Sequence, residues 1–304
     1  MSENRCQKSD IGQPKARIDN MKKVWATTTL ILFSLVTGCS GGGAASFDQA
    51  ALNNVRLGET SARTSDGMTM VYVPGGTFEM GGGGGRENRA HSVTLDSFWI
   101  DQTEVTNSHF QRCVEDGVCS PPTTCSWGDP TYLDPTYADH PVICISWQEA
   151  VEYCEWAGGK LPTEGEWEYA ARGPQGFEYP WGNSFDGTRL NSCDVNCPHT
   201  DSRNPDYDDG YPMTSPVGNY PEGASWCGAL DMSGNVWEWV VDWHGAYPSQ
   251  PQTNPTGPSS GNERLIRGGS WFEGDPDWLR TDERHPYDPR ADIYLIGFRC
   301  AMDG

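Results

Sequence analysis

The sequence predicts an α+β domain in which strand-like segments at both ends enclose a short helical middle. Three observations carry this: apolar alternation near positions 68–101 and again after 263, three capped helix signals between 106 and 173, and an aromatic-rich stretch without periodicity over 174–262. "MTMVYVPGGTFEMG" (68–81) alternates apolar residues about Pro74-Gly75-Gly76 and reads as a hairpin; "HSVTLDSFWIDQTEVT" reads as one or two further strands. Thr106 is placed to cap a helix over "NSHFQRCVED" that stops at Gly117. Ser146 with Glu149, and Thr163 with Glu166, have capping-box spacing at the starts of two more helices, ended by Gly158-Gly159 and Gly173. "RLIRGGSW" and "YLIGFRCAM" read as closing strands. Roughly ninety residues without periodicity would ordinarily count against a compact domain. Disordered segments are poor in aromatics, however, and this one holds Trp181, Trp226, Trp237, Trp239 and Trp243. It is expected to be folded and held by bound cations and disulfides.

The N-terminus reads as an export signal. "KKVWATTTLILFSLVTGC" (22–39) has two lysines, an apolar run shorter than a membrane span and a small residue before Cys39. Its end, "VTGC", resembles a bacterial lipobox, so Cys39 is expected to be lipidated and to become the mature N-terminus. Residues 1–38 are then the signal, with Met21 as an alternative start. Residues 39–66, opening with "SGGGAAS", read as a flexible tether, and 67–304 as one domain with a sizeable core. The expected location is the outer face of a bacterial membrane.

Charge argues against nucleic acid. Residues 1–38 carry six of the 21 Lys/Arg and three of the 42 Asp/Glu, so the mature chain keeps 15 basic and 39 acidic residues. A phosphate-binding surface needs a basic patch, and none is visible. Of the 11 cysteines, loss of Cys6 and lipidation of Cys39 leave nine, an arithmetic of four disulfides and one thiol in an oxidising compartment. The spacings at 113/119 and 193/197 are not those of a zinc knuckle.

The segments "MVYVPGGTFEMG", "TEVTNSHF", "HPVICISWQEAVEYCEWAGGKLPTEGEWEYAARG", "YPWGN", "ALDMSGNVWEWVVDW", "LIRGGSW" and "GFRCA" occur in that order over about 68–303. In sequence and order they resemble the formylglycine-generating enzyme family, also called the sulfatase-modifying factor domain. The fold this implies is an irregular α+β domain, a distant relative of C-type lectins, with little regular secondary structure. The resemblance implies two calcium sites. One falls on Asn191, Ser192 (backbone), Asp209 and Tyr211 (backbone), the other on Asp231 and Glu238 by side chain with Gly234 and Val236 by backbone. Mixed carboxylate and carbonyl oxygen ligation suits that ion. It also implies a Cys154–Cys300 disulfide. Cys113–Cys119 and Cys193–Cys197 are expected as local pairs, Cys125–Cys144 is the remaining pairing weighed, and Cys227 is left over.

The family reaction oxidises a sulfatase cysteine to formylglycine with oxygen and copper(I), held by two cysteines three and eight residues after the Ser of "RGGS". Those positions here are Glu273 and Trp278. Copper(I) selects soft sulfur ligands, so a carboxylate and an indole do not replace them, and copper is not expected. Trp237, Arg267, Ser270 and Trp271 remain as site-lining candidates beside Glu273 and Trp278. Glu273, among Asp275, Asp277, Asp282 and Glu283, reads as a solvated carboxylate. A related branch of sulfoxide synthases takes iron from histidines of a separate helical domain, and the six histidines here form no H-x-x-x-H pair. The expected role is a non-oxidase binding or accessory lipoprotein, taking an exported protein or small ligand at the 267–294 loop. The alternatives are an enzyme of altered chemistry and an authentic formylglycine-generating oxidase.

Overall fold

The computed structural model describes residues 57–82, 88–126, 128 and 131–304. The expected signal, Cys39 and most of the expected tether lie outside the described residues. Among the described residues no helix is long and apolar enough to cross a membrane.

Eleven short strands form three small sheets among the described residues, with three helices of nine to ten residues. The first sheet orders β1 (Thr60–Ala62), β2 (Thr69–Val73), β5 (Phe98–Asp101) and β11 (Ala301–Asp303), all antiparallel. The second places β3 (Gly76–Met80) beside β4 (His91–Leu95), with β7 (Gln252–Thr253) parallel to β4. The third orders β10 (Ile296–Gly297), β6 (Trp237–Trp243), β8 (Arg264–Arg267) and β9 (Arg284–Tyr287). The architecture is an irregular α+β fold with little regular structure, as the sequence implied.

The hairpin expected at 68–81 is not formed. Residues 69–80 instead pair with 91–101 in one antiparallel register, from Met70↔Asp101 through Val73↔Phe98 and Gly76↔Leu95 to Met80↔His91. Pro74-Gly75 bends this ribbon from one sheet into the next rather than reversing it. At Gly75 a Cβ would lie 2.8 Å from the Leu95 carbonyl oxygen and 2.9 Å from the Ser97 nitrogen, so the chain crosses tightly against its own partner strand.

The helix signals are local and each is realised. α1 (Asn107–Glu115) is capped by Thr106, whose hydroxyl accepts from the His109 N–H. α2 (Trp147–Trp156) and α3 (Glu164–Arg172) each carry both halves of a capping box, and α3 ends at Gly173. α3 is buried along its whole length, Trp167 and Glu168 completely. One core gathers Phe110, Tyr153, Trp239, Trp271, Ile296 and Phe298 between α1, α2 and the third sheet. A second sets Trp167 and Ala170 of α3 against Val71, Val93, Ile100 and Val240.

The folded region begins before Gly67, the boundary expected from composition. β1 pairs with β2, and Arg63 (5 % exposed) reaches inward to Asp66 and to Asp101, its Nη1 2.7 Å from Asp101 Oδ1. Tyr153 donates to Asp66 at 2.7 Å. Asp66 is held below its usual range by Arg63 and Tyr153, against the opposing effect of burial. This polar stretch folds because its charges are paired across the sheet.

Disulfides join Cys154–Cys300, Cys113–Cys119, Cys193–Cys197 and Cys125–Cys144. Cys227 is a buried free thiol, pushed up by burial, with its Sγ 3.4 Å from the Ala170 carbonyl.

Candidate functional site

The "RGGS" turn leaves the end of β8 and is enclosed. Arg267 and Ser270 are fully buried and Trp271 is 1 % exposed. Arg267 points into the core, donating to Glu168 at 2.7 Å, Glu164 at 3.2 Å and the Thr281 carbonyl at 2.8 Å. Glu164 in turn takes both arms of Arg284 at 2.7 and 2.8 Å. This charge cluster fixes the turn beneath α3, because removing one member would strand a buried charge. Arg267, Ser270 and Trp271, expected to line a site, therefore support it from inside. The Trp271 N–H holds the turn to the Asn235 carbonyl at 2.9 Å.

Two residues of the turn reach an accessible face. Glu273, expected to be a solvated carboxylate, is half-buried and accepts from the Trp237 indole Nε1 at 3.2 Å. Burial pushes its pKa up, with the Trp237 bond opposing. Its main chain is clamped as well, its N–H bonding the Ser270 carbonyl and its own carbonyl accepting from Cys193. Trp278 follows on a short 3-10 turn, Pro276–Leu279, started by the Asp275 side chain. His285 of β9 links these residues, with its ring 5.9 Å from Trp237, 5.8 Å from Trp278 and 6.2 Å from Tyr287. Burial lowers the His285 pKa, so the imidazole is neutral at pH 7. His285 and Tyr287 lie within the 267–294 loop expected to take a ligand, but the sequence singled out neither. Their signal is the alternation of β9, where Arg284 turns inward to Glu164 and His285 lies among the ring faces.

The first cation set comes together around a buried amide. Asn191 Nδ2 donates to the Met213 carbonyl at 2.8 Å and Asn235 Oδ1 at 3.0 Å, while its Oδ1 is buried with no hydrogen-bond partner. Asp209 accepts from the Ser192 N–H at 2.8 Å and the Tyr211 N–H at 2.9 Å. Burial raises its pKa to about 7. Asp194, which the sequence did not single out, supports the set from below by accepting from the Asp209 N–H at 2.6 Å.

In the second set Glu238 is fully buried and already taken by Arg299, with two contacts of 2.7 Å, and by Trp167 Nε1 at 2.7 Å. Asp231, at φ 56°, accepts from the Gly218 N–H at 2.6 Å. The structure adds Glu104 of "TEVTN", which is fully buried with neither carboxylate oxygen hydrogen-bonded. Burial, then Asp231, pushes Glu104 well above the usual carboxylate range. Gly234, at φ 84°, brings its Cα against the Asn191 carbonyl, where no side chain fits, so the two sets share a backbone junction. Among the described residues no three His, Cys, Asp or Glu side chains form a metal cluster; either set would need amide and backbone oxygens as well. The orphaned Asn191 amide oxygen in one set and the buried Asp231 carboxylate in the other are hard oxygen groups of the kind a dication would satisfy.

Fold and site together define a sulfatase-modifying-factor type of domain. The sulfatase-modifying factor enzyme 1-like domain matches residues 56–304, and the chain belongs to that family. It is 31 % identical over 316 residues to the formylglycine-generating enzyme of Bos taurus, covering 88 % of this chain and 83 % of that one. It is also 31 % identical over 278 residues to the inactive C-alpha-formylglycine-generating enzyme 2 of Mus musculus, covering 76 % and 85 %. Among solved structures it resembles PvdO from Pseudomonas aeruginosa, with 26 % identity, TM-score 0.67, and coverage of 82 % of this chain and 100 % of that one.

Proposed function

We infer that this chain is an exported lipoprotein, anchored through Cys39, that uses the family scaffold for a binding or accessory role rather than as a copper-dependent cysteine oxidase. The observation that carries the reading is Glu273. At the position where the family resemblance puts a copper-binding thiolate stands a carboxylate already hydrogen-bonded by Trp237, and at the second such position stands the indole of Trp278. Oxygen and indole do not make a soft two-sulfur site. Cys227, a free thiol among the described residues, is buried with its Sγ 3.4 Å from the Ala170 carbonyl of α3.

Two calcium ions complete the scaffold in this reading. Asn191, Asp209 and the Ser192 and Tyr211 carbonyls would hold one; Asp231, Glu238 and the Gly234 and Val236 carbonyls would hold the other. They would tie the aperiodic middle of the chain to the "RGGS" turn. The ligand surface is the 267–294 segment, and the partner is an exported protein or small molecule.

A second reading, an enzyme of altered chemistry, is favoured by one observation: Glu273, whose pKa burial raises, is held by Trp237, against which the His285 ring also packs, and a carboxylate so perturbed fits general acid–base work. The deciding experiment incubates the purified protein with copper, oxygen and a cysteinyl peptide carrying a sulfatase motif, and reads the product by mass spectrometry. The expected result is unmodified peptide; conversion to the aldehyde would refute the non-oxidase reading.

A further inference from the structure

The accessible face beside Trp237, itself buried at 4 % exposure, carries polar groups that the protein itself leaves unused. Beyond the single bond from Trp237 to Glu273, no hydrogen bond within the described residues engages the second Glu273 oxygen, the Trp278 indole N–H, either His285 ring nitrogen or the Tyr287 hydroxyl. None of these atoms is among the fully buried polar atoms that lack partners, so all of them face accessible space. They belong to one contiguous group, since Glu273 touches Trp237, Trp237 packs on His285, and His285 packs on both Trp278 and Tyr287.

The charges of the segment are one-sided. Each of its arginines is matched by an acid: Arg267 by Glu168 at 2.7 Å, Arg280 by Asp282 at 3.0 Å, Arg284 by Glu164 at 2.7 Å and Arg290 by Asp288 at 2.7 Å. Glu273, Asp275, Asp277 and Glu283 have no such partner among the described residues, and the neutral imidazole of His285 does not supply one. The face is a set of π-surfaces edged by uncompensated carboxylate. An anion would be repelled there, and a neutral ligand would leave the Glu273 charge desolvated.

We propose that the Trp278–His285–Tyr287 face, backed by the buried Trp237 and with Glu273 at its edge, binds the ammonium group of a small organic amine. A cation over aromatic faces gains from the ring quadrupoles, most when partly desolvated, and the carboxylate gives it a counter-charge at short range. This rests on the reading of the 267–294 segment as a ligand surface and names the class of ligand it takes.

The test titrates the full-length protein with choline and with its neutral isostere 3,3-dimethylbutan-1-ol, following tryptophan fluorescence and heat of binding. Choline is expected to saturate and to bind about tenfold or more tighter than the alcohol, a difference of about 1.4 kcal/mol. Glu273→Gln keeps an oxygen for the Trp237 bond and should fold, yet lose most of that preference. Trp278→Ala, on the half-exposed side, should weaken choline without restoring the alcohol. A parallel titration with a lysine-containing peptide separates sources: tighter binding of the peptide than of choline would overturn the free-amine assignment. Equal affinity for choline and the alcohol would overturn the ammonium inference while leaving a ligand surface in place. Absence of choline binding at millimolar concentration would overturn it as well.

Discussion

The Cys154–Cys300 disulfide provides a stability test with a magnitude that follows from topology. It joins α2 to the residue before β11 across a sequence separation of 146, whereas Cys193–Cys197 closes a separation of 4. In the chain-entropy account a cross-link stabilises by shrinking the unfolded ensemble, in proportion to the logarithm of the closed loop. That gives about 5 kcal/mol for the long closure and about 2 kcal/mol for the short one at 25 °C. All four cysteines are buried, with exposures of 0, 0, 0 and 1 %. Replacing either pair by alanine therefore carries a comparable packing cost, and the difference between the two double variants isolates the loop term at about 3 kcal/mol. The long bridge also meets the first sheet, where the Cys300 carbonyl accepts from the Asp101 N–H at 2.8 Å and the Cys300 N–H bonds Asp101 Oδ2 at 2.9 Å. Equilibrium urea unfolding of C154A/C300A and C193A/C197A measures both losses. Equal losses, or a larger loss for the short pair, would refute the reasoning.

Three further perturbations read other parts of the structure. Asp242 is 4 % exposed, accepts from the Glu164 N–H at 2.8 Å, and is raised by burial and then by Glu164 from 3.8 to about 7. Because the folded pKa lies above the unfolded one, its contribution to stability is complete below pH 4 and is lost as pH rises to 7. Relative to wild type, Asp242→Asn should therefore gain about 4 kcal/mol between pH 4 and pH 8 in urea unfolding; a pH-independent difference would contradict this. Excess chelator should lower the melting temperature and added calcium should restore it, whereas an unchanged melt would remove both cation sets from the account. Arg63→Met would leave Asp66 and Asp101 buried without their guanidinium, an expected cost of about 3–5 kcal/mol by thermal or chemical unfolding. A cost near zero would show that residues 60–66 are dispensable to the fold.

What was legible in the sequence was mostly local. The capping pairs Ser146/Glu149 and Thr163/Glu166 act within a single turn, so spacing alone places α2 and α3. What failed depends on distant partners. Pro74-Gly75 has the chemistry of a reversal, but the ribbon was bent rather than closed because its partner strand lies beyond Ala90. Arg63 and Asp66 look like tether because their burial rests on Asp101 and Tyr153, far along the chain. Glu104 sits in a quoted motif, yet its significance appears only beside Asp231 and Arg299. Glu273 reads as one acid among five until Trp237 is found donating to it. The family resemblance named the turn that carries the accessible face; only the fold put His285 and Tyr287 on it.

The central claim is that Glu273 and Trp278 stand where two sulfur ligands would be needed. Competition of the purified protein against a calibrated cuprous chelator tests it directly. The account predicts no stoichiometric copper(I) uptake by wild type, and high-affinity uptake of one ion by that protein would contradict it.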